Sequence, residues 1–167
     1  MASFRETGVL SLEELEGRVP PLERLRRGAC AVIECVEEIP CNPCEESCPV
    51  GAIRIGEKIT TLPVIDFDRC TGCGTCVGVC PGLAIFLVDL SREGKAHITV
   101  PYELLPVPRA GDEVRVLSRE GTPLGPGRVL RTRKVGTTYL VTVEVPEEWA
   151  MKARAIAPSP PRKREKG

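Results

Sequence analysis

The sequence predicts an α+β chain: a small core built on a duplicated cysteine loop, a helical arm before it and a small antiparallel β-barrel or sheet module after it. Three observations carry this. The first is Cys70-Thr71-Gly72-Cys73-Gly74-Thr75-Cys76-Val77-Gly78-Val79-Cys80-Pro81, in which two residues separate each of three cysteines, three more lead to a fourth, and a proline follows. The second is its partial repetition in Cys41-Asn42-Pro43-Cys44-Glu45-Glu46-Ser47-Cys48-Pro49, after which Pro49-Val50-Gly51-Ala52-Ile53 runs parallel to Pro81-Gly82-Leu83-Ala84-Ile85. The third is a change of chemistry after residue 101, where cysteines stop and alternating β-branched segments begin. These divide the chain into an arm (1–29), a cysteine core (30–100), an all-β module (101–156) and a tail (157–167).

Cysteines at this spacing, closed by proline, form the run that binds an iron–sulfur cluster. Thiolates on a tight loop wrap the corners of a cubane, and Gly72 and Gly74 let backbone approach the sulfides without a Cβ clash. Pro81 prevents the helical turn carrying the fourth thiolate from continuing. The repeat resembles the two-cluster bacterial ferredoxin family over residues 30 to 90. The resemblance implies a pseudo-twofold core, two 4Fe-4S clusters and crossed ligation. One cluster takes Cys70, Cys73, Cys76 and Cys48; the other takes Cys41, Cys44, Cys80 and one further ligand. The family's usual first cysteine falls on Glu38 here. Cys35 is our choice, because a loop three residues longer still returns a thiolate at small entropic cost. Glu38 as an oxygen ligand, or a cluster short of one iron, is the alternative. Cys30 is left over and reads as a small buried hydrophobe.

Ahead of the core, Met1 to Gly8 reads as mobile or partner-bound. Ser11-Leu12-Glu13-Glu14 has the form of a capping box, opening a short helix with Leu12 and Leu15 on one face and Gly17 at its end. Pro20-Pro21 begins another, with Leu22 and Leu25 inward, Arg24, Arg26 and Arg27 outward and Gly28 closing it. Helices this short need a surface to lie on, either their own core or a partner. Within the core, strands are expected over 29–34, 52–55, 61–66, 84–90 and 96–100, with short helices over 42–47 and 74–79. His97, the single histidine, sits alone in a strand and reads as structural.

The prolines between 101 and 108 favour extended backbone and are expected to end the preceding strand. Strands then follow at Val114–Leu117, 127–134 and 137–145, a spacing typical of a small antiparallel barrel or sheet. Simple alternation puts Val129 and Arg131 on one side, with Arg128, Leu130 and Thr132 on the other. Pro146-Glu147-Glu148 opens a short helix carrying Trp149 and Met151. The basic, proline-rich tail cannot bury a core and is expected to be disordered.

Lys plus Arg and Asp plus Glu both number 23, so no global field steers the chain to nucleic acid or a membrane. No apolar run reaches the length that spans a bilayer, and the N-terminus lacks a signal pattern. A cytoplasmic protein in reducing or anaerobic surroundings is expected. One histidine supports no hydrolytic triad, and no phosphate-cradling loop opens a helix. The expected role is therefore non-catalytic electron transfer, with Glu37, Glu38, Glu45 and Glu46 lowering the potential of the cluster beside them. The whole layout also looks like the small iron–sulfur subunits of FAD-dependent amino-acid dehydrogenases, the hydrogen-cyanide-synthase-like and proline- or hydroxyproline-dehydrogenase-like complexes. That resemblance implies a flavin (FAD) dehydrogenase subunit as partner in a hetero-oligomer. The alternatives are a stand-alone ferredoxin or a subunit of another redox complex, such as a hydrogenase or ketoacid oxidoreductase. A third is a nucleic-acid binder using Arg115, Arg119, Arg128, Arg131, Arg133 and Lys134, which the scarcity of aromatic residues there disfavours.

Overall fold

A computed structural model describes residues 3–157. Its backbone is one curled antiparallel sheet with short helical turns packed against it. The helices are α1 (Phe4–Thr7), α2 (Leu22–Arg26), α3 (Pro43–Glu46) and α4 (Thr75–Val79), with a 3-10 turn at Glu13–Leu15 and another at Glu147–Trp149. The strands are β1 (Cys30–Ile33), β2 (Ile53–Arg54), β3 (Val64–Ile65), β4 (Ile85–Asp89), β5 (Lys95–Tyr102), β6 (Glu113–Ser118), β7 (Pro123–Val135), β8 (Thr138–Pro146) and β9 (Ala153–Ile156). Seven of them form a single sheet in the order β1-β4-β5-β8-β7-β6-β9, while β2 and β3 pair by themselves. The sheet curls until β9 returns to pack against β5.

Strands β1 and β4 form a wall between two cores, and period-2 alternation makes them so. Ala31 and Ile33, paired with Leu87 and Ile85, face the cysteine loops with Ile53, Val77 and Leu140. Cys30 and Val32, paired with Val88 and Phe86, face the larger core beneath the curled sheet. Burial on both faces explains why β4 reads as the uninterrupted apolar run Ile85-Phe86-Leu87-Val88. One buried ion network ties the wall to the distal strands. Glu34, just past β1, accepts from Arg154 Nε of β9 at 2.7 Å and from Arg119 after β6, and Arg154 lies over the Phe86 ring.

Several expectations change. Residues 3–8 form a capped turn: Ser3 and Glu6 make reciprocal capping bonds, and Phe4 N–H donates to Glu14 Oε1 at 2.9 Å. The Ser11–Glu14 capping box is present, but only Leu15 of its two leucines is buried. In α2, Leu25 is buried while Leu22 is exposed, and Arg24 turns inward because it has carbonyls to donate to. Strand β5 runs past Val100 through Pro101, which pairs with Leu140 of β8. Strand β4 reaches only to Thr99, so a missing N–H on that edge is tolerated. In β7 a bulge between Val129 and Arg131 reverses the alternation. Thr132 consequently shares the Val129 face, opposite Val141, and its hydroxyl donates to Pro108 O at 2.8 Å. Strand β9 adds to the expected set, and the expected tail beyond Ala157 lies outside the described residues.

Candidate metal centre

The loops between β1 and β4 bring the cysteines together in two groups. Cys48, Cys70, Cys73 and Cys76 line one small cavity, together with Ala31 and Leu87 of the wall. Burial pushes the Cys76 thiol up to about 12, and the nearby charges of Cys70, Cys73 and Cys48 push the same way. Cys35, Cys41, Cys44 and Cys80 make the second group. Burial and then Cys80 and Cys41 raise Cys44 to about 11, and Cys35 rises through burial and through the same two neighbours. Glu38 is exposed, whereas Cys35 packs against the loop-side core with Cys80.

Local chemistry makes each loop hospitable to thiolate. Ala52 N–H donates to Cys48 Sγ at 3.2 Å, and Ala84 N–H donates to Cys80 Sγ at 3.5 Å. These are equivalent positions of the sequence repeat. The residues before them match as well: Gly51 has φ 58° and Leu83 has φ 51°. A leucine in the left-handed region costs about 1–2 kcal/mol, so the loop geometry dictates this turn rather than residue preference. Burial opposes ionisation of Cys73, and hydrogen bonds from Thr75 and Thr71 outweigh it, so its thiol is lowered. Cys30 donates to Cys70, holding Cys70 down to about 5 and its own thiol well above the usual range. Gly72 is required for a different reason than closeness to sulfide: a Cβ there meets Ala29 O at 2.5 Å.

Three arginines from outside the duplicated loops reach into them. Arg18 Nη2 donates to Cys35 O at 2.8 Å, Arg24 Nη2 to Cys70 O at 2.6 Å, and Arg133 Nη2 to Cys73 O. Sequence reasoning missed all three, and cysteine spacing holds no signal for them. Arg133 fits because Gly74 lacks a side chain; a Cβ there lies 2.6 Å from its Nη2. His97 Nε2 lies 3.4 Å from Glu144 Oε2 between β5 and β8, away from both groups of cysteines. Among the described residues, no three Cys, His, Asp or Glu side chains converge as a single metal ion requires. The donor set is thiolate-rich with backbone donors aimed at sulfur, which fits an iron–sulfur cluster, where each thiolate serves a different iron.

Comparison with known proteins gives the class. Residues 34–84 match the 4Fe-4S dicluster domain, and a second 4Fe-4S dicluster model matches residues 62–120. The chain thus carries 4Fe-4S dicluster sequence, with two 4Fe-4S clusters as its cofactors. Among curated relatives, it is 51% identical over 49 residues to one subunit of the ion-translocating oxidoreductase complex of Methanosarcina acetivorans, covering 29% of this chain and 17% of that one. It is 39% identical over 59 residues to the ferredoxin-type protein NapF of Haemophilus influenzae, covering 34% of each. It is 42% identical over 48 residues to the polyferredoxin-like subunit of the aliphatic sulfonate oxidoreductase of Pyrococcus furiosus, covering 29% of this chain and 27% of that one. The chain therefore spans about a third or less of the length of each of these relatives. No solved structure matches it. No helix among the described residues is long and apolar enough to cross a membrane.

Proposed function

We propose that this chain is the iron–sulfur subunit of a multi-subunit oxidoreductase, passing single electrons from a flavin (FAD) dehydrogenase subunit toward an external acceptor. The carrying observation is the gathering of eight cysteines into two groups of four, each drawing on both halves of the repeat. In this reading Cys48, Cys70, Cys73 and Cys76 hold one cluster and Cys35, Cys41, Cys44 and Cys80 the other, in a core with pseudo-twofold symmetry. When bound, the clusters accept and release one electron at a time. The protein's own residues hold them apart from water, supply N–H donors to sulfur and set the local charge.

Residues 1–29 act as a helical arm braced on the cluster-binding region 30–100. Residues 101–156 form an all-β region continuous with the same sheet. This mass beyond the cysteine core suits a subunit docked permanently in a cytoplasmic hetero-oligomer. That relatives carry names of oxidoreductase complex subunits supports a docked role. Two of those names, ion-translocating and aliphatic sulfonate oxidoreductase, also favour the second reading, a subunit of a redox complex without this flavin partner. Anaerobic affinity purification of the tagged full chain from its native cell separates the two. A co-purifying partner with a flavin absorption spectrum supports the first; flavin-free partners, or the chain alone, contradict it.

A further inference from the structure

The two groups of cysteines differ in the fixed charge placed on them. At the first, Arg24 donates from a buried position to Cys70 O at 2.6 Å, and also to Phe67 O at 2.7 Å and Gly28 O at 3.0 Å. Arg133 donates to Cys73 O from β7, on the other side of the same loop. Arg69 adds a donor to Val50 O at 2.6 Å, and Val50 lines the same cavity. The carboxylates nearby are already engaged: Asp66 accepts from the N–H groups of Asp68 and Arg69, and Asp68 pairs with Arg27.

The second group has the opposite balance. Among the described residues, Arg18 is the arginine seen to donate into it, to Cys35 O at 2.8 Å. Glu37, Glu38 and Glu46 stand exposed around it, and Glu45 holds Ile55 N–H at 3.1 Å. Reduction adds one negative charge to a cluster. Positive charge and donors nearby favour it, while carboxylates oppose it. Burial of Arg24 strengthens its effect, because screening by water is weaker there.

We infer that Arg24 and Arg133 make the Cys48/Cys70/Cys73/Cys76 site the more oxidising of the two, so that a single electron on this chain resides there. This rests on the assignment of the two groups as cluster sites. The first electron taken up settles at that site, which carries Cys73, the exposed cysteine of the first group. Arg24 and Arg133 are positioning residues: they touch the peptide of a ligand residue, not the sulfur.

The test is an anaerobic redox titration followed by EPR on the full chain with both clusters loaded. Arg133→Gln is the decisive variant, because its side chain reaches the loop from the sheet surface. It is expected to make the higher-potential couple about tenfold harder to reduce, which is 59 mV for a one-electron step, and to leave the lower couple in place. Arg133→Lys restores most of the shift, since charge is what acts. Cys73→Ser perturbs the same couple, which assigns it. Arg18→Gln lowers the other couple instead. If Arg133→Gln moves neither couple, or moves the lower one, the inference is overturned while the cluster assignment stands. Iron and sulfide contents below two clusters in the parent protein overturn both.

Discussion

At the scale of single residues, the choice between Cys35 and Glu38 as ligand turns on where the chain puts them. Cys35 is half-buried and close enough to Cys41 and Cys80 to feel their charge, while Glu38 points into solvent. Cys35→Ala is therefore expected to cut iron below about eight per chain, and Glu38→Gln to leave it unchanged; colorimetric iron determination reads both. Full loading of the Cys35→Ala chain contradicts the assignment. The grouping of the cysteines was legible in the sequence, because a cluster needs thiolates at fixed spacing on a tight loop. What surrounds them was not. Arg24 and Arg133 lie 46 and 60 residues from the carbonyls they bond, a distance that only the fold closes. The Cys30 thiol, which reads from the sequence as a spare buried hydrophobe, is fully buried in the larger core, and its contact with Cys70 is what the sequence did not show.

At the scale of elements, α4 carries the loop of Cys73, Cys76 and Cys80 and rests on the sheet through two glycines. A Cβ at Gly78 meets Val135 Cβ at 2.4 Å, and one at Gly74 meets Leu140 Cδ2 at 3.0 Å. Leu140 of β8 is thus both a core residue and the seat of the helix. Leu140→Ala should cost about 2–5 kcal/mol through lost burial and the cavity left behind. Denaturant unfolding measures the cost, and faster loss of visible cluster absorbance at equal denaturant accompanies it. A change below about 1 kcal/mol contradicts this packing. Strand positions here were readable from alternation, but their phase was not: the bulge in β7 moves Thr132 to the buried face, and no pattern in Arg128-Val129-Leu130-Arg131-Thr132 announces it. Strand β9 escaped notice because Ala153-Arg154-Ala155-Ile156 is short and carries an arginine at a buried position.

At the scale of the whole molecule, the cluster-bearing wall and the distal strands are joined through Glu34, Arg119 and Arg154. Burial works to raise the Glu34 carboxyl, but hydrogen bonds and charge from Arg119 and Arg154 outweigh it and hold it below its ordinary 4.5. A lowered folded value stabilises the protein above pH 4.5, and that contribution is lost as pH falls through the folded value. Glu34→Gln strands Arg154 without its counter-charge and is expected to cost about 3–5 kcal/mol at neutral pH. The variant's stability should also vary less with acid than the parent's; thermal unfolding across pH compares the two, and parallel curves contradict the role given to Glu34. The central claim is that thiolates contributed by both halves of a duplicated loop hold two inorganic centres in one chain. Iron and acid-labile sulfide per chain, measured on anaerobically purified protein, test it most directly. About eight of each is the predicted result; about four of each, or zinc without sulfide, contradicts it.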